Sequence, residues 1–387
     1  MRDPKVSVVL AVYNHEKYVG QTMESVLGQT YQNWEFIIID DCSTDGSVNV
    51  VRQYEDERIR FYPAEKNRGS VLTFNELLRK AEGEYVAIIG SDDVWYENKL
   101  QEQVDFMERH GEVGVCFSQA ELMDENGILY SSREKCDCDV DIFRKENCTR
   151  AQSFRHFFEN GNYFCHSSSL VRCRVIQEIG EFSPGFRQTH DYDYWVRVLQ
   201  KYPVYLLPKS LVKYRRIRTG NESVSAGNQQ NAIRVINESQ DIVYKMIKEM
   251  DLEVFCEAFQ DLLKKEIKND TMLICEKYFV LLGWKIWGID SRQPAIRFLG
   301  EHLNEEILEC LEKEYQYSLN DYYEETGNPV NLYPIQFYGE YQKLEQIFYE
   351  QRRIIAKLKK EIREMSQSRS WKLTEPLRAA KRLVKRR

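Results

Sequence analysis

Two pairs of adjacent aspartates stand where apolar runs end: Asp40 and Asp41 close "EFIIIDD", and Asp92 and Asp93 close "YVAIIGSDD". Adjacent carboxylates repel unless a cation or hydrogen-bond donors offset them. Either pair alone reads as a turn or a helix cap, the commonest use of Asp after a strand. Two such pairs at equivalent strand ends ask for more. Oxygen-only ligation suits Mg2+ or Mn2+, which bind through few carboxylates and keep positions for phosphate oxygens and water.

Competing chemistries lack their residues. No G-x-G-x-x-G follows the first apolar run, and no G-x-x-x-x-G-K-[ST], H-E-x-x-H or G-x-S-x-G occurs. "DCSTDG" from Asp41 begins like an EF-hand loop, but Arg52 stands where the bidentate Glu is required. Cys136-x-Cys138 with Cys148 offers thiolates without zinc-finger spacing.

The elements that must carry these residues alternate. "VSVVLAV" is a continuous β-branched run, as expected of a strand covered on both faces. A helical pattern follows (Val19, Met23, Val26, Leu27), then the strand "EFIIID" and a helix capped by Ser43 or Asp45. The strand "RIRFYPA", a helix from Ser70 ending at Gly83 and the strand "EYVAIIG" complete the series. Such alternation predicts an α/β domain with a mostly parallel sheet. In open sheets of this kind ligands sit outside the carboxyl ends of the strands, where both acidic pairs fall.

Taken in order, "VSVVLAVYNHEKYVGQTMESVLGQTYQNWEFIIIDDCSTDGS", "NRGS" at 67–70, "AEGEYVAIIGSDDVW" and "HDYDYW" at 190–195 resemble the family-2 inverting glycosyltransferases of the GT-A fold, over roughly residues 5–225. The resemblance implies a nucleotide-sugar donor, a divalent cation and inversion at the anomeric carbon. It further implies a role for each matching position. Tyr13 would lie against the base, Asp41 would accept a hydrogen bond from the uracil or thymine N–H, and Asp40 would help hold the nucleoside. Asn67 and Arg68 would line the donor pocket. Asp92 would bind the metal that bridges the diphosphate, with Ser91 beside it and Asp93 capping the following turn or touching the sugar. Asp191 matches the general base, whose alternative role is a helix N-cap, and His190 and Asp193 would shape the acceptor side.

Two departures stand out. Gly90 replaces a carboxylate that many members carry. After the "KYRR" that closes the domain there is no His, but Arg215, Arg216 and Arg218. A guanidinium cannot ligate a metal, but its fork suits a pyrophosphate, so Arg216 or Arg218 is assigned part of the diphosphate charge.

A net charge of −7 over 387 residues argues against nucleic acid as a partner of the chain as a whole. The segment Tyr338–Arg387 is strongly basic nonetheless, with 15 Lys/Arg against 6 Asp/Glu. Within it, apolar positions at 4-3 spacing predict a coiled coil over 337–366 and hence a homodimer; the alternative is one amphipathic helix packed on its own domain. The tail at 367–387 resembles a segment at the ends of many bacterial polysaccharide glycosyltransferases. As a basic helix bearing Trp371 and leucines it suits an anionic membrane surface; the alternative is a solvated charged end.

Four regions follow: a catalytic domain over 1–230, a helical region over 231–336, the coiled coil and the tail. Nothing like a signal peptide opens the chain and no run is long and apolar enough to span a bilayer, so a cytoplasmic protein is expected, peripheral on the inner membrane face if the tail binds there. The expected activity is transfer from a UDP- or dTDP-sugar to a glycan or lipid-linked glycan hydroxyl in bacterial cell-surface polysaccharide synthesis. Two other readings are a sugar-nucleotide nucleotidyltransferase, which lacks its Gly-rich basic loop here, and a glycan-assembly scaffold with a decayed donor site, which Gly90 favours.

Overall fold

In the computed structural model, residues 3–130, 141–216 and 229–328 are described, together with Lys357. The coiled-coil segment other than Lys357, the basic tail, Cys136, Cys138 and Arg218 lie outside the described residues. Chain contacts divide the protein into units Met1–Asn331 and Leu332–Arg387, and the architecture below is that of the first.

The expected alternation forms β1 (Val6–Val12), α1 (Val19–Leu27), β2 (Trp34–Asp40), α2 (Ser47–Val51), β3 (Ile59–Pro63), α3 (Ser70–Lys80) and β4 (Tyr85–Gly90). These four strands are parallel neighbours in the order β3-β2-β1-β4. Apolar residues fill both faces by alternation. Val9, Ile37, Ile39, Val86 and Ile88 face one core, while Val8, Leu10, Phe36, Ile38, Ala87 and Ile89 face the other. Two details differ from the sequence reading. The helix after β2 is only five residues long; of the two expected caps, Asp45 accepts the N–H of Ser47, its first residue, at 2.9 Å, and Ser43 does not. α3 stops at Lys80, three residues before Gly83.

The second half completes an eight-stranded sheet with β5 (Val94–Trp95), α4 (Lys99–Arg109), β6 (Val115–Met123), α5 (Arg150–Asn160), a 3-10 turn His166–Ser168, β7 (Leu170–Arg172), α6 (Cys173–Ile179), α7 (His190–Lys201) and β8 (Val204–Arg215). β7 is antiparallel to both β4 and β6, and β5 is antiparallel to β8, so the sheet is mixed beyond β4. The polar stretch before α5 concealed a regular start: Thr149 and Gln152 form a reciprocal capping box.

Beyond the sheet come α8 (Gln229–Glu249), α9 (Leu252–Phe259), α10 (Asp270–Leu282), the hairpin β9 (Lys285–Ile286) and β10 (Ile289–Asp290), α11 (Gln293–His302), α12 (Glu305–Tyr315) and α13 (Leu319–Thr326). One apolar cluster runs from Val9 and Ile39 of the sheet through Phe154, Phe157 and Trp195 to Ile242, Phe255, Tyr278 and Phe298 of these helices. Trp284 donates to the Phe158 carbonyl at 2.8 Å, fixing α5 against the turn after α10. The helices therefore brace the face of the sheet on which α5 and α7 lie. No helix of the described residues is long and apolar enough to cross a membrane.

Candidate active site

The carboxyl ends of β1, β2 and β4 are stitched into one surface. Asn14, in the left-handed region at φ 53°, donates its backbone N–H to Ser43 Oγ at 2.9 Å, and its side-chain oxygen accepts from Thr44 N at 2.8 Å. The His15 backbone N–H reaches Ser47 Oγ at 2.9 Å. These bonds hold the loop after β1 against the loop after β2 and leave the Tyr13 ring 44 % exposed beside them. Asp40 is buried and accepts from Ser43 N at 2.8 Å and Ser43 Oγ at 2.5 Å, so it shapes this loop from within.

Asp41 is buried as well, and its two oxygens accept the backbone N–H groups of Arg68 and Gly69, each at 2.8 Å. Gly69 has φ 88°, a conformation that strains any side chain, and it starts α3. Asp41 thus joins the end of β2 to the start of α3. Asn67 is exposed and turns its amide oxygen to Gly69 N at 3.1 Å. The Arg68 guanidinium is ion-paired with Glu76 of α3, so its side chain lies along that helix.

At the end of β4 the two carboxylates part in environment. Asp93 is buried, accepting Arg215 N–H at 2.9 Å and the hydroxyl of Ser167. It neither caps the following turn nor reaches outward, as the sequence reading had it. Asp92 is half-buried, and among the described residues no other residue donates a hydrogen bond to its carboxylate. Burial pushes both acids up; Asp93 rises further because the Asp92 charge lies beside it, while Ser167 and Arg215 oppose the rise. His15 and Arg215 pull Asp92 back toward ionisation. Ser91 is buried and shares a 2.7 Å hydrogen bond with His15 Nδ1.

Gly90 changes meaning here. A Cβ at that position would sit 2.9 Å from Asp93 Oδ2, 3.2 Å from Ser167 Oγ and 3.3 Å from Asp92 Oδ1. Its own N–H donates to Ser167 Oγ at 2.9 Å. A side chain here would press on the Ser167–Asp93 pair, so glycine suits the packing of this site as it stands.

The arginines divide as well. Arg215 is buried and grips three backbone carbonyls and one side chain: Nε to the Asp92 carbonyl at 2.7 Å, NH1 to the Asp124 and Glu125 carbonyls at 3.1 Å, and NH2 to Gln21 Oε1 at 2.6 Å. It fixes the Asp92 turn. Arg216 is exposed, and its backbone N–H donates to the Met123 carbonyl at 2.9 Å.

Asp191 stands in the first turn of α7, whose cap is Thr189. Its Oδ2 accepts from Asn162 Nδ2 at 2.8 Å and its Oδ1 from Tyr192 N at 2.8 Å, which fixes the carboxylate plane. Asp193 turns the other way, buried and paired with Arg197 at 2.9 Å, so it does not face the acceptor side. The loop leading to Asp191 hangs on one residue of α8. Glu238, itself buried, accepts Arg187 N, Gln188 N, Thr189 N and Thr189 Oγ1 at 2.8–2.9 Å. Glu238→Ala leaves those donors unpaired in a poorly solvated site. It is expected to cost roughly 3 kcal/mol in urea unfolding, together with about a tenfold loss of turnover as the start of α7 loosens.

The 3-10 turn links the two halves. Ser167 holds Asp93 and Gly90, and its neighbour His166 lies close enough to Asp191 to feel its charge. Burial, reinforced by His190, holds the His166 imidazole down at about 4 in spite of Asp191. The folded state therefore binds this proton more weakly than the unfolded chain. The stability this gives is complete above pH 6.5 and is lost as the pH falls from 6.5 toward 4, roughly 3 kcal/mol at the limit. Melting curves should fall over that interval, and by less in a His166→Phe variant.

Sequence reasoning did not single out His15, Asn162, His166, Ser167 or Glu238. The signal for the turn was legible as "CHSSS", a polar run entering the apolar strand "LVR". Nothing local marks Asn162 or Glu238, whose partners are 29 and 49 residues away.

The profile of the family described as "Glycosyl transferase family 2" matches residues 7–180. The glycosyltransferase TuaG of Bacillus subtilis (strain 168), named for teichuronic acid biosynthesis, is 31% identical over 237 residues, covering 59% of this chain and 84% of TuaG. The chain belongs to glycosyl transferase family 2. WfgD of Escherichia coli, named as a UDP-Glc:alpha-D-GlcNAc-diphosphoundecaprenol beta-1,3-glucosyltransferase, is 33% identical over 129 residues, which is 33% of this chain and 51% of WfgD. Among solved structures, Staphylococcus aureus TarS 1–349 in complex with UDP aligns at TM-score 0.52 and 18% identity over 84% of this chain and 90% of that one. The mixed sheet flanked by helices is thus a GT-A fold, followed by a helical region, as expected from the sequence. As a member of the family the protein is a glycosyltransferase with a nucleotide-sugar donor. The profile match ends before Asp191, so the role of that residue rests on the geometry around it.

Proposed function

We propose that this family-2 enzyme passes a sugar from a UDP- or dTDP-sugar to a hydroxyl of a growing bacterial cell-surface glycan, with a lipid-linked acceptor and with inversion. The observation that carries the reading is the turn His166–Ser168, which holds the Asp92–Asp93 end of β4 through Ser167 and borders Asp191 through His166. A leaving group and a base on opposite sides of one small site is what a single in-line displacement requires. The names of TuaG and WfgD support the substrate class: a teichuronic acid for the first, a UDP-sugar and a diphospholipid-linked sugar for the second.

Nucleoside binding falls to Tyr13, Asp41 and Asn67, with Asp40 holding the loop beneath them through Ser43. The Tyr13 ring offers an aromatic face to the base. Asp41, with both oxygens already receiving one N–H each, retains lone pairs for the imide N–H of uracil or thymine. Arg68 contributes its backbone, since its guanidinium is paired with Glu76. Arg216, exposed at the end of β8, and Arg218 supply positive charge for the diphosphate.

The donor set fits a divalent cation held by few protein ligands. No cluster of three metal-ligating side chains exists among the described residues, so Asp92 would be the protein ligand and diphosphate oxygens and water the remainder. When bound, Mg2+ or Mn2+ would offset charge on the departing nucleoside diphosphate. Asp93 and Arg215 hold the Asp92 turn in place. Asp191 takes the proton of the acceptor hydroxyl as its oxygen attacks the anomeric carbon, and Asn162 keeps the receiving carboxylate in position. Thermal-shift titration with UDP, dTDP and GDP, each with and without Mn2+, tests the donor assignment. UDP or dTDP should raise the melting temperature, more so with the metal. No shift with any nucleotide would sink the reading.

A further inference from the structure

His166 is the one side chain among the described residues with two buried polar atoms that both lack a hydrogen-bond partner. A neutral imidazole carries one donor and one acceptor, and leaving both unmade in a sealed site is unfavourable. The ring is wedged among Phe74, Phe182, His190 and Trp195, with centroids 5.4, 5.6, 5.8 and 5.8 Å away. Packing alone would be better served there by phenylalanine or leucine. Buried polar atoms that stay unpaired in a folded protein call for an account, and a partner that arrives with the ligand is one.

The position of the ring says which part of the ligand that is. Its turn is anchored to Asp93 and to the Gly90 N–H by Ser167, and to Trp95 Nε1 through the Ser167 carbonyl at 2.8 Å. Asp191 and His190 are also neighbours of the ring. In an in-line displacement the transferred sugar lies between the leaving diphosphate and the attacking oxygen. A residue set between the Asp92–Asp93 end and Asp191 therefore borders that sugar, not the nucleoside.

We propose that His166 hydrogen-bonds a hydroxyl or other polar substituent of the transferred sugar and so sets which sugar is accepted. The inference rests on the transferase reading above. Burial keeps the imidazole neutral at physiological pH, so one nitrogen donates while the other accepts. The residue is half-buried overall although its nitrogens are sealed, so the contact needs a rotation of the ring toward its exposed side. A site built to hydrogen-bond one substituent rejects sugars that lack it, because its own groups are then left unpaired.

The test compares wild type, His166→Phe and His166→Gln. Calorimetry gives the affinities for UDP, dTDP, UDP-glucose, UDP-galactose and UDP-N-acetylglucosamine, and donor hydrolysis gives kcat/KM for each sugar. Phe keeps the aromatic packing and removes both polar atoms; Gln keeps a donor and an acceptor. In the Phe variant kcat/KM for the preferred donor should fall about 100-fold, and the preference among the three sugars should shrink toward none. Its UDP affinity should stay within about twofold, and Gln should recover about tenfold of the loss. A Phe variant that turns over and discriminates like wild type overturns the proposal and leaves the transferase reading intact. Wild type that binds UDP but gains nothing from any of the three sugars does the same. Wild type that binds none of UDP, dTDP and the three UDP-sugars overturns both. Should the Phe variant fail to fold, 15N spectra of the histidine rings in wild type decide: the His166 signals should move on adding the preferred UDP-sugar and not on adding UDP. Signals unmoved by the sugar overturn the proposal.

Discussion

Asp191→Asn is expected to lower sugar transfer by about 1,000-fold while leaving UDP affinity within about twofold. The amide fits the space of the carboxylate and can still accept from Tyr192 N, so the first turn of α7 should keep its form. What it cannot do is take the proton from the acceptor hydroxyl. The single oxygen of the amide cannot accept from both Tyr192 N and Asn162 Nδ2, so the variant gives up the bond to Asn162 along with the basic group. Steady-state kinetics with calorimetric UDP titration separates the two properties. A variant with near-normal turnover would remove Asp191 from the chemistry and return it to a structural role at the start of the helix.

Asp92→Asn should act at the other end of the reaction. Turnover is expected to fall roughly 100-fold or more, and the extra UDP affinity conferred by Mn2+ should disappear. The same substitution removes a buried charge that pushes Asp93 up, so the folded protein should become more stable by about 1 kcal/mol even as it loses activity. The opposed signs separate this account from simple unfolding. Melting curves taken beside kinetics read both, and loss of activity together with loss of stability would argue that Asp92 is part of the scaffold. Asp93→Asn makes the contrast. Its carboxylate holds Arg215 N–H and Ser167, so its loss should lower stability.

The parallel half of the sheet was readable because β1, β2 and β4 are continuous apolar runs bounded by turns, and its four strands fall where the sequence puts them. Asp40, Asp41, Asp92 and Asp93 were found for the same reason, since they terminate those runs. Their division of labour was not readable. Asp93 differs from Asp92 through Ser167 and Arg215, which come from 74 and 122 residues along the chain. Gly90 looked like the loss of a carboxylate because Ser167, whose bond to Asp93 it makes room for, lies 77 residues along the chain. β7 reverses direction between two strands it pairs with, and nothing in three residues of "LVR" declares that. The dependence of the Asp191 loop on Glu238 joins the sheet domain to the helices after it. Amphipathic spacing gives the helices but not which of their polar residues turn inward.

The most direct test of the central claim, a single displacement with inversion between the Asp92 end and Asp191, follows the sugar itself. The α-configured donor UDP-glucose, or whichever of the three UDP-sugars is preferred, is hydrolysed by the full chain with Mn2+ and monitored by 1H NMR before mutarotation equilibrates the product. The account predicts that the β-anomer of the free sugar is released first. Release of the α-anomer first would require a double displacement, or attack from the face of the leaving group, and would contradict it.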